Sequence, residues 1–302
     1  MNKLKKVVVT GGAGFIGSNL VDKLISQNIE VTVIDDLSTG KRENIHPDAK
    51  WVNISLQNLD SDEHFRDVDV VFHLAALARV QPSIEDPITY NTANVDATLK
   101  VLYYANMAGV KRVVYSASSS CYGDATIFPT PESHPTHPMS PYGLQKYIGE
   151  QYCNVFSEVY NLDTCSLRYF NVYGEKMNLS GAYCLAIGIF AKQMIDGNPL
   201  TITNDGTQRR DFTYVGDVVD ANILAATHDG KLNGASFNVG NGLNYSINEV
   251  ADMLGGEKSY GENRLEPFQT LADNTKAKET LGWNPIGDLP SWIIKYKKEL
   301  GI

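Results

Sequence analysis

Apolar and polar positions alternate along the chain in two kinds of block. Lys6–Thr10 (KVVVT) is a continuous apolar run, the pattern of a strand buried on both faces. Further strand-like runs are Glu30–Ile34 (EVTVI), Trp51–Ile54, Val68–Leu74 (VDVVFHL), Arg112–Ser116 and Thr164–Phe170. Helix-like blocks fall between them, over Phe15–Gln27, Ile88–Met107 and a segment opening at Pro141. Ser140 is a good N-cap for that last helix, and Pro141 suits its first position. This β-α-β-α order predicts an α/β fold, a doubly wound parallel sheet covered on both faces. The last third is less regular. A Gly/Asn-rich loop (Gly174–Gly181) precedes a helix over Leu185–Asp196 and short strands at Leu200–Thr203 and Phe212–Val215. Helices are predicted over Val218–His228, Ile247–Leu254 and Thr275–Leu281, and Pro129–Pro138 reads as an ordered excursion.

Composition narrows the class without changing this picture. The 302 residues are 43% hydrophobic and 20% charged, which is globular rather than disordered or fibrous. No run of 18 apolar residues marks a membrane span, and the N-terminus lacks signal-peptide features, so a cytoplasmic protein is expected. A net charge of −9 argues against nucleic acid as a partner, which needs a basic face. Cys121, Cys153, Cys165 and Cys184 form no C-x-x-C pair and sit away from any ligand-spaced His, so reduced thiols and no metal are expected.

The first strand runs into T10-G-G-A-G-F-I-G17. Gly11, Gly14 and Gly17 suit a tight turn, close approach of backbone N–H groups to a pyrophosphate, and helix–strand packing. The following helix N-terminus favours an anion. Asp35 and Asp36 end the second strand about 20 residues on, where an acid bonds the adenosine ribose and repels a 2′-phosphate, favouring NAD. Tyr142 and Lys146 lie one helical turn apart on one face. A lone Y-x-x-x-K is usually only an amphipathic helix, so its context decides its meaning.

That context is TGGAGFIGS, DDLSTG, HLAA, SSSCYGD, SPYGLQK, RYFNVYG, QRRDFTYV and ADNTKAKETLGW. Together, over almost the whole length, these make the chain resemble the extended short-chain dehydrogenase/reductases, in their nucleotide-sugar epimerase/dehydratase branch. The resemblance implies a Rossmann domain over residues 1–173, rejoined by 216–242, and a substrate region over 174–215 and 243–302. It implies NAD contacts at Phe15, Ile16, Ser38, Thr39 and Gly40, at Asn53 and Ile54, at Leu74, Ala75 and Ala76, and at Asn94, Ser116 and Tyr169. It also implies a catalytic set of Ser118, Tyr142 and Lys146, and a homodimer packed through helices near 90–108 and 141–160.

The chemistry of that set follows from its charges. A free phenol, with pKa ~10, is a poor base at neutral pH. An ammonium at ~4 Å, in an effective dielectric of ~20, favours the phenolate by ~4 kcal/mol. Tyr142 then becomes a usable base, and Lys146 also orients the cofactor in the resembled family. Dehydratases of that family carry Asp-Glu after the Ser/Thr, and decarboxylases carry Glu two places after it. Here these positions are Ser119 and Ser120, expected to line the sugar pocket. What remains is reversible oxidation at C4 of a nucleotide-diphosphate sugar, a 4-epimerase of UDP-hexose or UDP-N-acetylhexosamine. The rivals are a 4,6-dehydratase, a 4-ketoreductase and an inactive NAD-binding protein.

The resemblance also supplies the substrate end. Asn171 matches a diphosphate contact and Arg210 a phosphate-binding arginine, with a surface ion pair as the bland alternative for Arg210. Glu266 matches the acid of an R-x-G-[DE] element whose other positions differ here, being Asn263 and Leu265, with Arg264 one place off. Thr270 falls where a larger residue would exclude a 2-acetamido group. Arg79, after the fourth strand, either faces the sugar or lies on the surface.

Overall fold

The computed structural model describes residues 4–179, 185–262 and 266–302. Cys184 and the Asn263–Arg264–Leu265 departure lie outside the described residues. The strands are β1 (Lys6–Thr10), β2 (Glu30–Ile34), β3 (Lys50–Val52), β4 (Val70–His73), β5 (Arg112–Ser118), β6 (Asp163–Tyr169), β7 (Asn171–Tyr173), β8 (Leu200–Ile202), β9 (Arg209–Tyr214), β10 (Ser236–Val239), β11 (Asn244–Ser246) and β12 (Lys258–Tyr260). The helices are α1 (Phe15–Ser26), α2 (Val80–Glu85), α3 (Pro87–Asn91), α4 (Ala97–Met107), α5 (Pro141–Tyr160), α6 (Ala186–Ile195), α7 (Val215–Thr227), α8 (Ile247–Leu254), α9 (Thr275–Leu281) and α10 (Leu289–Leu300).

Seven strands form one sheet in the order β10-β6-β5-β4-β1-β2-β3, and every pairing is parallel. Val7, Val8, Val9, Val33, Val71, Phe72, Val113 and Val114 are wholly buried, because helices cover both faces. One core packs β1 and β2 against α1, α7 and α9. The other packs β4 and β5 against α4 and α5. The strand order reverses between β1 and β4, so a crevice opens beyond their C-terminal ends, the general ligand site of such sheets. A third core joins α6, α8 and α10 to β8 and β9.

Several elements differ from the pattern-based reading. The expected helix over Ile88–Met107 is α3, a π-helical turn (Thr92–Asp96) and α4. Asp86 caps α3 by accepting the Thr89 N–H, and Pro87 follows it. The π turn turns the buried Asn94 inward, and such bulges are frequent at functional sites. β7, β11 and β12 have three residues each, too few to show a period. Residues 129–138 are ordered as expected: Thr130 exchanges backbone hydrogen bonds with Leu271 and Asp273, and His137 N–H donates to Cys121 C=O.

Arg112, at the start of β5, ties the N-terminal end of that strand to the end of α7. It pairs with Asp163 of β6 at 2.5 Å. It also donates to the carbonyls of Ala225 (2.8 Å), His228 (3.0 Å) and Gly230. Asp163 accepts the N–H groups of Leu232 (2.8 Å) and Asn233 (3.0 Å). Both charges are more than nine-tenths buried. Removing one partner strands the other, a loss of about 3–5 kcal/mol. Arg112→Met is therefore expected to lower the urea midpoint by that equivalent, whereas an exposed pair such as Lys192–Asp196, tested by Lys192→Met, is expected to change it by less than about 1 kcal/mol.

Candidate active site

The turn after β1 is built for close approach. Gly11 has φ +73°, and a Cβ there would sit 2.7 Å from the Ala75 nitrogen. A Cβ on Gly17 would lie 2.1 Å from the Gly11 carbonyl oxygen. α1 starts at Phe15 with Gly14 as its N-cap and no capping side chain, so its first N–H groups face the crevice as anion donors. Asp35 is buried at the end of β2 and accepts the N–H of Ala13 (2.9 Å) and Leu37 (2.8 Å). Burial raises its carboxyl, partly offset by these bonds. Asp36 is exposed; burial opposes its charge, but bonds from Ser38 and Ser55 prevail and lower its pKa. Gly40 packs against Ala13, and Trp51 Nε1–H donates to Asp35 C=O, which closes the pocket floor. A glycine cradle, an open helix N-terminus and a carboxylate at the end of β2 fit a dinucleotide.

Beyond β4, Thr10 Oγ1 accepts the Ala75 N–H at 3.2 Å and bonds His73 Nδ1 at 2.7 Å. His73 Nε2 meets Thr98 Oγ1 at 2.9 Å. Burial lowers the His73 pKa to about 3, so the ring is neutral and structural. Leu74, Ala75 and Ala76 line this turn half-buried. Asn94 spends its amide on the Leu77 N–H and C=O and on Gln145 Oε1 (3.0 Å), bracing the catalytic helix. Tyr169 is buried, with its hydroxyl bonded to Asn222 of α7. Ser116 is buried within β5, while Asn53 and Ile54 follow β3.

The sheet brings Ser118, Tyr142 and Lys146 together. Ser118 ends β5 and accepts from Ser120 Oγ at 2.8 Å and Ser120 N–H at 3.2 Å. Its hydroxyl is among the groups that lower the Tyr142 phenol against its burial. Ser140 Oγ caps α5 by accepting the Gly143 N–H at 3.1 Å. Lys146 is 3% exposed, with Nζ 4.3 Å from the centre of the Tyr115 ring. Gly149 lets Tyr115 lie against α5: a Cβ there would stand 2.2 Å from the Tyr115 oxygen. Ser119 sits beside Ser120 at the strand end, half-buried.

The electrostatics differ from the spacing argument. Burial raises the Tyr142 phenol above its ordinary pKa; the Ser118 bond and the Arg79 charge lower it in part. Burial also lowers Lys146 to about 7. The sequence places an ammonium one turn from the phenol, but the structure seats it over Tyr115 and puts Arg79 among the groups acting on the phenol. Arg79 is half-buried rather than on the open surface.

The substrate-end residues form a second cluster. Asn171 Nδ2 reaches Asp211 C=O (3.4 Å) and Thr270 Oγ1 (3.5 Å). Arg210 is buried and pairs with Glu266 at 2.6 Å, not with the adjacent Asp211. Glu266 also accepts from Asn204 Nδ2 (2.9 Å) and Gln208 Nε2 (3.3 Å). Two further residues carry no sequence signal. Asp211, wholly buried, accepts the N–H groups of Asn241, Gly242 and Ala272 and stands at about pKa 6, raised by burial against those bonds. Ser83, also wholly buried, accepts the N–H of Tyr142 at 3.1 Å. Only tertiary contact reveals either role.

Comparison with known proteins agrees with this geometry. Residues 7–240 match the model of the NAD dependent epimerase/dehydratase family. The chain is 38% identical over 296 residues to a putative UDP-glucose 4-epimerase of Methanocaldococcus jannaschii, covering 95% of each. It is similar to the Thermotoga maritima UDP-glucose 4-epimerase solved with UDP-glucose, with TM-score 0.92, 36% identity, and 98% and 100% of the two chains covered. It is likewise similar to the UDP-N-acetylglucosamine 4-epimerase of Methanobrevibacter ruminantium M1 solved with UDP-N-acetylmuramic acid, with TM-score 0.90, 36% identity, and 99% and 96% covered.

Lys146 yields a test of the site's energetics. Its folded pKa lies below the unfolded value, so the folded chain binds that proton less tightly. Its contribution to stability is full above the usual lysine range and is lost as pH falls toward 7. In protein freed of nucleotide, Lys146→Met should melt roughly 3 °C or more above wild type at pH 6, with the gap closing toward pH 10. Thermal melts across that range check it.

Proposed function

We propose that this chain, which belongs to the NAD dependent epimerase/dehydratase family, inverts C4 of a UDP-hexose or UDP-N-acetylhexosamine. The observation that carries the reading is the placement of Ser118 at the end of β5 and of Tyr142 and Lys146 in the first turns of α5, beside the glycine cradle after β1. Loss of water across C5–C6 requires an added acid and base, and serines stand where they would be.

The residues from Gly11 to Gly17 would hold the pyrophosphate of NAD, Asp35 and Asp36 its adenosine ribose, and Lys146 its nicotinamide ribose. NAD supplies the acceptor for hydride from C4 and the donor that returns it. Tyr142 takes the 4-hydroxyl proton, and Ser118 donates to that sugar oxygen, polarising it. The resulting 4-keto sugar is short of one hydride and one proton; hydride returns to the opposite face of C4 and the proton to its oxygen, so the product has the atoms of the substrate. Tyr142 gives that proton back, so acid and base are one group. Arg210 and Asn171 would face the diphosphate, with Arg210 sharing its charge between phosphate and Glu266. Thr270 leaves room for a 2-acetamido group. The cofactor region is taken as 1–173 with 216–242, the sugar region as the remainder, and the protein as cytoplasmic. Among the described residues no helix is long and apolar enough to cross a membrane.

Purified protein is expected to interconvert UDP-glucose with UDP-galactose, and their 2-acetamido forms, without added reductant and without change in product mass. Tyr142→Phe should lose at least about 10²–10⁴-fold of that activity while keeping its melting temperature. A product lighter by one water, or a fully active Phe variant, defeats the reading.

The homodimer has support on the surface. On α4, Leu99, Tyr103 and Met107 recur every four residues and are exposed, as are Val155 and Val159 on α5. Two such helices from each copy would bury this stripe. Sedimentation equilibrium should give twice the 33.3 kDa chain mass, and Tyr103→Glu with Val159→Glu should give one chain mass.

A further inference from the structure

A buried polar network lies beside the site and takes no part in the proton transfer described above. It begins on α5, where Tyr142, Lys146 and Glu150 recur at four-residue steps and so share one face. Glu150 is 2% exposed, and Arg168 of β6 grips its two carboxylate oxygens at 2.9 and 2.5 Å. The third Arg168 nitrogen donates to the Tyr122 hydroxyl at 2.6 Å and to the Glu132 C=O at 3.1 Å. Tyr122 O–H donates in turn to Asn238 Oδ1 at 2.7 Å. Asn238, wholly buried on β10, spends its amide N–H groups on the carbonyls of Thr130 (2.9 Å) and Asp273 (3.0 Å). Thr130 N–H donates to Leu271 C=O, and its own C=O accepts the Asp273 N–H, so the relay ends on the segment that carries Thr270. The Tyr122 ring reaches the same place by packing, in a small apolar cluster with Cys121, Phe170 and Ala272. Ala272 N–H is itself held by Asp211.

Stability alone does not account for such a network. Desolvation offsets most of what a buried ion pair returns, and an apolar substitute of similar volume is often as stable. A fully satisfied network instead imposes one arrangement on the elements it joins. Here those elements are the helix bearing Tyr142, the turn Ser119–Tyr122 that follows Ser118, and the segment bearing Thr270. We propose that Tyr122 is a positioning residue for the sugar: its hydroxyl joins the Glu150–Arg168 pair on the catalytic helix to Asn238, and so fixes the Thr270 segment relative to Tyr142. This rests on the reading of Tyr142 as the group that meets the 4-hydroxyl. The Tyr122 hydroxyl is the one group that both accepts from Arg168 and donates to Asn238.

The test compares Tyr122→Phe, Asn238→Ala and the double variant in the NAD-loaded enzyme, each assayed well below its melting temperature. Each single variant should lose about tenfold or more in kcat with UDP-glucose while KM stays within about twofold, because the diphosphate contacts remain on β7 and β9 and only the sugar shifts from Tyr142. The double variant should lose little beyond the worse single one, since both cut the same relay. Arg112→Met, destabilised away from this network, should keep the wild-type kcat. In nucleotide-free protein Tyr122→Phe should speed amide exchange at Thr130 and Asp273 by about tenfold or more. The proposal fails if both single variants keep the wild-type kcat, if their losses multiply, if Arg112→Met loses kcat equally, or if exchange at Thr130 and Asp273 is unmoved. Unchanged kcat in the Tyr122 variant beside an inactive Tyr142→Phe defeats this inference alone; an active Tyr142→Phe defeats the function reading, and this inference with it.

Discussion

The site depends on how charge is held where water has been removed. The N-terminal turns of α5 press against β5 so closely that Gly149 touches the Tyr115 hydroxyl. That packing leaves Lys146 almost wholly enclosed and raises the Tyr142 phenol. Burial disfavours the charged form of each: it moves the lysine down and the tyrosine up. A chain selected for stability alone would place an apolar residue at 146. Keeping an ammonium there is the kind of local conflict that marks a working site.

The rest of the fold relieves that conflict in separate ways. The Tyr115 ring face meets the ammonium, a favourable contact with a π-system that itself carries no charge. Ser120 donates to Ser118, and Ser118 lowers the phenol's pKa from the sheet side. Asn94 and Ser83 are neutral and fully committed to backbone groups. They fix geometry without adding charge. At the other end of the crevice, Asp211 gathers three N–H groups from two loops, and its own N–H donates to Thr270. One buried carboxylate thereby sets where Asn171, Arg210 and Thr270 stand relative to one another.

Much of the sheet was legible because its strands are apolar runs with no polar face: β1, β2, β4 and β5 all appear within a residue or two of the reading. The glycine turn and the Ser140–Pro141 cap were legible for a similar reason, since local backbone needs dictate those residue types. The three-residue strands β7, β11 and β12 were not, because no period fits in three positions. α10 was missed because only Leu289 and Ile293 of its twelve residues are buried, leaving too thin an apolar stripe to detect. The spacing of Tyr142 and Lys146 fixed a shared helical face but not the direction of the ammonium. Ser83 escaped assignment because its meaning lies in a contact with a different element, the Tyr142 N–H of α5.

The combination of groups at the strand ends also restricts the chemistry. A phenol able both to accept and return one proton suits a reaction that undoes its own first step. An irreversible elimination would need a second acid or base with a different pKa, and such pairs arise when neighbouring groups push one another apart. Here the neighbours of Tyr142 are hydroxyls and a fixed cation, which shift one group without creating a second. The serines at 119 and 120 thus do more than omit carboxylates. They keep the phenol alone as the proton carrier, and a single proton carrier with nothing to drive the intermediate onward is the condition under which a transient ketone returns to alcohol on either face.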